Sequence, residues 1–383
     1  MQNFALIPER LFDGDHFYTD QAVLIEQGTI EQVVDKNSLS ADYLHLDVPG
    51  LLAPGFIDIQ VNGGGGVLFN TATNCEGIAA IAAAHRRYGT TNMLPTLMSD
   101  RSEVISAGIL AIEQSIENGI PGILGVHLEG PYLNPARRGI HNALYVRELD
   151  NDAVELLSSC RQGRTLVTLA PEMVPAGTIR KLRRRNVLVA AGHSAARWQQ
   201  IQSAIDEGLC GFTHLFNAMS PLTGREPGVL GAALESSGLG CGIIVDGHHV
   251  HPSNLKIALA AKRPGEIFLV SDAMPPVGTQ MTRFELNGEL IYSHDGRCTN
   301  ADNVLAGSSL DMATAVRNCI HLLDLDPAEA LRMASRYPAG FLQIDDCYGS
   351  IRAGYRACLV ALDDQFMVRA TWVDGQRENY QLV

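Results

Sequence analysis

The chain has no C-x-x-C pair, no run of about 18 apolar residues, no low-complexity tract and no excess of positive charge. Eight cysteines, Cys75, Cys160, Cys210, Cys241, Cys298, Cys319, Cys347 and Cys358, are scattered over 383 residues. That spacing excludes a zinc ribbon and a disulfide framework and reads as reduced thiols. The missing apolar run excludes a helical membrane span. Lys plus Arg number 29 against 42 for Asp plus Glu, a net charge of −13, so neither nucleic acid nor an anionic membrane is an expected partner. The opening stretch, with Glu9, Arg10 and Asp13, holds no apolar segment suited to a signal peptide, and a cytoplasmic protein is expected. Core material is ordinary: 46% hydrophobic and 19% charged residues, in the globular range.

The two ends differ from the middle. Ala22–Val34 reads as two strands turning at Gly28, and Cys358–Leu362 with Phe366–Trp372 reads as two more. Between them come eight short apolar runs: Gly55–Val61, Thr91–Leu97, Ile123–Leu128, Thr165–Ala170, Val187–Ala191, Gly211–Leu215, Cys241–Val245 and Ile267–Val270. Helical segments such as Glu76–Tyr88, Arg101–Asn118 and Arg197–Gly208 separate most of them. The alternation predicts an α/β fold, a (β/α)8 TIM-like barrel over 54–343, with a small β-sandwich domain built from both termini, 1–53 and 344–383.

The polar residues sharpen that reading. Run after run ends in a reactive side chain: Asp58 and Gln60, then Glu129, Glu172, His193, His214, Asp246 with His248 and His249, and Asp272. Barrel enzymes place their chemistry at the carboxyl ends of the strands, and such groups are expensive to bury unpaired. Glu129, His193 and His214 are 64 and 21 residues apart, too far for a local metal motif, but the ends of strands three, five and six meet at one mouth. One carboxylate and two imidazoles with an open position suit a catalytic divalent ion. Each histidine alone reads sooner as a hydrogen-bonded core residue; the set at equivalent strand ends reverses that and favours the metal. Asp272 suits proton transfer to and from a metal-activated water, or equally a loop carboxylate before Pro-rich sequence. Gly63–Gly66 lacks the Lys-Ser/Thr of a phosphate loop, and Arg183, Arg184 and Arg185 read as a solvated helix face.

The strings APGFID, PTLMS, GVHLEGPYLN, GIHN, LAPE, AGHS, THLFNAM, GREPG, DGHHV, SDAM and LAGSSL, in order from Pro54 to Ser309, resemble those of the N-acetylglucosamine-6-phosphate deacetylases of the amidohydrolase superfamily. The resemblance implies a metal-dependent hydrolase of a linear amide that releases acetate from N-acetylglucosamine 6-phosphate. It also implies metal ligands at Glu129, His193 and His214, and an acid/base at Asp272. By the same resemblance His141 contacts the substrate near the scissile amide. His249 matches a substrate-binding histidine, with His248 one place away as the competing assignment. Asn217 and Ala218, with Leu305, Ala306 and Gly307, would hold the sugar phosphate. Arg225 resembles a phosphate-binding arginine that reaches into the neighbouring subunit of a homodimer or higher oligomer.

Many amidohydrolases carry His-x-His after the first strand and hold a second metal there. Gln60 and Asn62 stand at those places here. Neutral amides are weak ligands beside imidazole, so one metal per subunit is expected, with zinc or iron favoured and manganese or cobalt permitted. The fourth run has no lysine to form a carboxylated bridge. The competing readings are another barrel amidohydrolase, acting on a different acylated amino sugar or a cyclic amide, and a non-catalytic scaffold.

Overall fold

The computed structural model describes residues 3–380. Eight parallel strands form the central sheet: Phe56–Val61, Thr90–Met98, Gly125–Glu129, Arg164–Leu169, Val187–Ala191, Gly211–Phe212, Gly240–Ile243 and Ile267–Leu269. All eight coincide with the apolar runs of the sequence. Each is buried on both faces, as a parallel sheet covered by helices requires. The ring closes just beyond the eighth strand: Val61 bridges Ala273, and the Asp272 N–H donates to the Gln60 carbonyl at 3.0 Å. This is a (β/α)8 barrel, and its closing seam carries Asp272 on one side and Gln60 and Asn62 on the other.

The helices form where the apolar spacing demands. Ser102–Glu117 turns Ile105, Gly108, Ile109 and Ile112 inward, the i, i+3/i+4 stripe of a half-buried helix. Cys75–Arg86 starts at Asn74, whose side chain accepts from the Gly77 N–H. The sixth strand is shorter than its apolar run, Gly211–Leu215. His214 and Phe216 adopt φ of 32° and 80°, and left-handed residues cannot continue an extended ladder.

The terminal strands make one eight-stranded sheet from both chain ends. Leu44–Pro54 lies at its centre, parallel to Phe4–Phe12 and antiparallel to Leu359–Leu362. The hairpin turning at Gly28 is Gln21–Glu26 with Thr29–Asp35, wider than the expected span. Leu6, Ile25, Leu52, Leu359 and Trp372 fill its core. No cysteine is paired, and among the described residues no helix is long and apolar enough to cross a membrane.

A four-stranded antiparallel insert, Arg283–Leu286, Glu289–His294, Arg297–Thr299 and Leu305–Ser308, lies outside the eight-run pattern. Its signature is nonetheless in the sequence. Asn287-Gly288 and Asp295-Gly296 both take positive φ at the first two hairpin turns, the signal of type I′ connections. Ser308 then bridges Ala273, so the last strand of the insert docks beside Asp272.

His85, buried under the Gly63–Gly66 turn, lies 2.9 Å from the Gly63 carbonyl through Nε2. A carbonyl only accepts, so Nε2 carries the proton, and Nδ1 is buried without a partner. Burial pushes this histidine down to about 4 from an ordinary 6.5. The unfolded chain therefore binds a proton between those values that the folded chain refuses, and stability falls as pH drops through that window. Denaturation of the protein and of His85→Gln in parallel checks this. The native chain should lose on the order of 2–3 kcal/mol more than the variant between pH 7 and pH 4.

Candidate metal and catalytic centre

A cavity of about 320 Å³ opens at the carboxyl end of the barrel. Its lining includes Asn62, Glu129, His141, His193, His214, Asn217, Ala218, His249, Asp272, Leu305 and Gly307. Gln60 lies directly behind it, hydrogen-bonded to two of these residues, and Ala306 is fully buried. Arg225 is exposed on the segment after the sixth strand and does not line this cavity. Asn303 and Val304, from the insert, also reach the lining, as do Met98, Ile140 and Met274. No Lys or Arg lines it among the described residues.

Glu129 Oε1 lies 3.1 Å from His193 Nε2 and 3.0 Å from His214 Nε2, and the two imidazole nitrogens are 2.9 Å apart. The hydrogen-bond partners show what this convergence demands. His193 Nδ1 faces the Arg137 carbonyl at 2.9 Å, so in the neutral ring Nδ1 holds the proton and Nε2 points a lone pair at the Glu129 oxygen. Two acceptors that close repel unless a positive charge lies between them. The electrostatics carry the same demand. Burial opposes a charge on His214, yet its hydrogen bond to Glu129 and the Glu129 and Asp272 charges outweigh that and raise its pKa. Burial likewise pushes the Glu129 carboxyl up, but its close approach to the His193 and His214 rings overcomes it and holds Glu129 well below the carboxylate range. A tetrahedral ion with bonds of about 2.0–2.1 Å keeps its ligand atoms roughly 3.3 Å apart, close to the separations here. The three residues fit one divalent cation; they are also the group of potential ligands whose donor atoms lie within 4.8 Å of one another among the described residues.

Asp272 stands beside them on the seam. Its Oδ1 accepts from Asn62 Nδ2 at 2.7 Å and Gln60 Nε2 at 3.1 Å, and Gln60 also donates to Glu129 at 3.1 Å. The two amides thus spend their donors on carboxylates. Burial pushes Asp272 up to about 6, the Glu129 charge adding to it. Its backbone is pinned on both sides, N–H to Gln60 and carbonyl from Ser308 N–H at 3.0 Å, which holds φ at +51°.

His141 is set by Ser99. The Ser99 backbone N–H donates to His141 Nδ1 at 3.1 Å, so Nε2 carries the ring proton and turns it towards Glu129 Oε2, 3.7 Å away. Burial lowers His141 to about 3, with the His193 charge adding to it, leaving a neutral N–H donor in the cavity. His249 Nδ1 donates to Asp246 Oδ2 at 2.6 Å, and Nε2 has no hydrogen-bond partner among the described residues. His248 is exposed and binds the Asp295 carbonyl in the insert at 2.7 Å. Of this pair, His249 is the one that lines the cavity.

Residues 51–377 match the family model described as "Amidohydrolase family". An N-acetylgalactosamine-6-phosphate deacetylase from Shewanella sp. (strain ANA-3) is 42% identical over 89% of this chain and 88% of its own. Among solved structures, N-acetylglucosamine-6-phosphate deacetylase from Pasteurella multocida superposes with a TM-score of 0.95 at 30% identity, covering 99% of this chain and 100% of the other. A mutant N-acetyl-D-glucosamine-6-phosphate deacetylase from Mycobacterium smegmatis, in complex with N-acetyl-D-glucosamine-6-phosphate, matches at 0.91 and 29% identity, over 98% and 99% of the two chains. With the family model spanning most of its length and a barrel mouth of this composition, the chain belongs to the amidohydrolase family.

Proposed function

We propose that this protein hydrolyses the acetamide of N-acetylglucosamine 6-phosphate to glucosamine 6-phosphate and acetate. The observation that carries the reading is the convergence of Glu129, His193 and His214 beside Asp272 in one cavity, in a chain alike over nearly its whole length to deacetylases of phosphorylated amino sugars. Glu129, His193 and His214 hold one divalent cation, zinc or iron before manganese or cobalt. Such an ion supplies Lewis acidity and brings the pKa of a bound water down towards about 7.

The remaining work falls to the chain's own groups. Asp272 accepts a proton from the attacking water and returns it to the departing nitrogen. Its Oδ1 is occupied by two amides, and Oδ2 has no protein partner among the described residues, which leaves that oxygen for the proton. His141, fixed as an Nε2–H donor, stabilises the negative charge that develops on the carbonyl oxygen. Asn217, Ala218, His249 and the Leu305–Gly307 strand bind the sugar phosphate. With no Lys or Arg in its own cavity, the substrate's dianion needs a cation from elsewhere, and exposed Arg225 of a neighbouring subunit in a homodimer supplies it. The unpaired thiols fit a reducing, cytoplasmic setting.

A second reading has its own support. The 42% and 38% identical relatives are named for N-acetylgalactosamine 6-phosphate, which differs from N-acetylglucosamine 6-phosphate only in configuration at C4. Both substrates use the same chemistry. Acetate release from the two phosphorylated sugars and from free N-acetylglucosamine decides the matter. Faster turnover of the gluco ester, with the free sugar inert, is the expected result; preference for the galacto ester replaces the substrate and keeps the mechanism. Asp272→Asn should lower kcat by about 10²–10⁴-fold while metal per chain, measured by elemental analysis, stays unchanged. Near-normal turnover in that variant removes Asp272 from the role.

A further inference from the structure

Glu172, at the end of the fourth barrel strand, has no part in the chemistry above, yet its carboxylate ties together the segments that carry the site. Oε1 accepts from Asn134 Nδ2 at 2.9 Å and from the Ala195 N–H at 2.6 Å, and Oε2 accepts from Ser194 Oγ at 2.7 Å. Those donors lie beyond the third and fifth strands, Asn134 on the segment that follows Glu129, and Ser194 and Ala195 directly after His193. Asn134 completes the tie, its backbone N–H donating to the His193 carbonyl at 2.9 Å. Ser194 extends it to the sixth segment, donating its N–H to the Ala218 carbonyl at 3.0 Å. At the centre sits His193 with φ of +50°, a backbone state that a residue with a side chain holds only when its surroundings over-determine it. Gly192 before it has no room for a side chain either: a Cβ there would lie 2.6 Å from Thr168 Cγ2.

We infer that Glu172 is a positioning residue, whose carboxylate fixes the left-handed turn at His193 and thereby sets how tightly the Glu129–His193–His214 site holds its cation. It touches neither the cation nor the substrate. The inference rests on the reading of those three residues as the metal ligands. Residues that orient a ligand from behind typically change metal affinity by 10–100-fold when removed.

The test is zinc titration of the metal-free full-length protein in competition with a chromophoric chelator. Glu172→Ala should weaken zinc binding by about 10–100-fold, and at saturating zinc its kcat should stay within about threefold of the native value. Glu172→Gln, which keeps one carbonyl oxygen as acceptor, should recover part of the affinity. A merely structural role would not produce this split. Val360→Ala, a fully buried core change remote from the site, should lower the melting temperature and leave zinc affinity alone. Unchanged zinc affinity in Glu172→Ala overturns the inference, as does lost kcat with zinc fully retained. Should the alanine variant not fold, Glu172→Gln decides: affinity weakened about threefold or more supports the inference, and unchanged affinity overturns it. Failure of the underlying metal assignment is distinguishable, because His193→Asn would then bind zinc as tightly as the native protein.

Discussion

Three polar atoms from the carboxyl ends of three different strands, Glu129 Oε1, His193 Nε2 and His214 Nε2, meet at separations of 2.9 to 3.1 Å deep in the barrel mouth. With His193 Nδ1 committed to the Arg137 carbonyl, such an arrangement is electrostatically tolerable only around positive charge. Much of the neighbourhood answers to that constraint. Gln60 turns an amide to Glu129 and Asp272 at once, and Asn62 turns another to Asp272. These neutral donors satisfy the carboxylates without adding competing ligands at the seam. Asp272, its pKa raised by burial, is then suited to moving a proton.

Holding the donors together strains the chain. His193, His214 and Asp272 all adopt left-handed backbone at φ of 50°, 32° and 51°, at roughly 1–3 kcal/mol each. The strain persists because neighbouring hydrogen bonds leave no alternative. Asp272 is held through its N–H and carbonyl by strands on either side, and His193 through Asn134 and the turn that Glu172 ties. The abrupt ends of strands five, six and eight follow from these residues. A left-handed histidine or aspartate stops the ladder and turns its side chain into the mouth.

The barrel was legible because parallel strands buried on both faces read as unbroken apolar runs, and all eight appear in the sequence at their observed places. The candidate ligands were legible for a related reason: Glu129, His193 and His214 are polar residues where those runs stop. Extents were less so, since nothing in GFTHLF announces that His214 takes positive φ and ends the strand two residues after it begins. The insert at 283–308 interrupts the strand–helix alternation, and only its Asn-Gly and Asp-Gly turns betray it. The bracing role of Glu172 was hidden for a deeper reason. Its partners Asn134, Ser194 and Ala195 are 38, 22 and 23 residues away, and no local pattern reports a tie between loops. The tautomers of His141 and His193 likewise depend on backbone groups brought close only by the fold.

The most direct test of this account is anomalous diffraction from crystals of protein purified without chelators, recorded at the absorption edges of zinc and iron. One peak per chain, bonded to Glu129, His193 Nε2 and His214 Nε2, is the predicted result. A peak elsewhere, or no metal at those three atoms after soaking in zinc, would contradict the claim that their convergence is built around a cation.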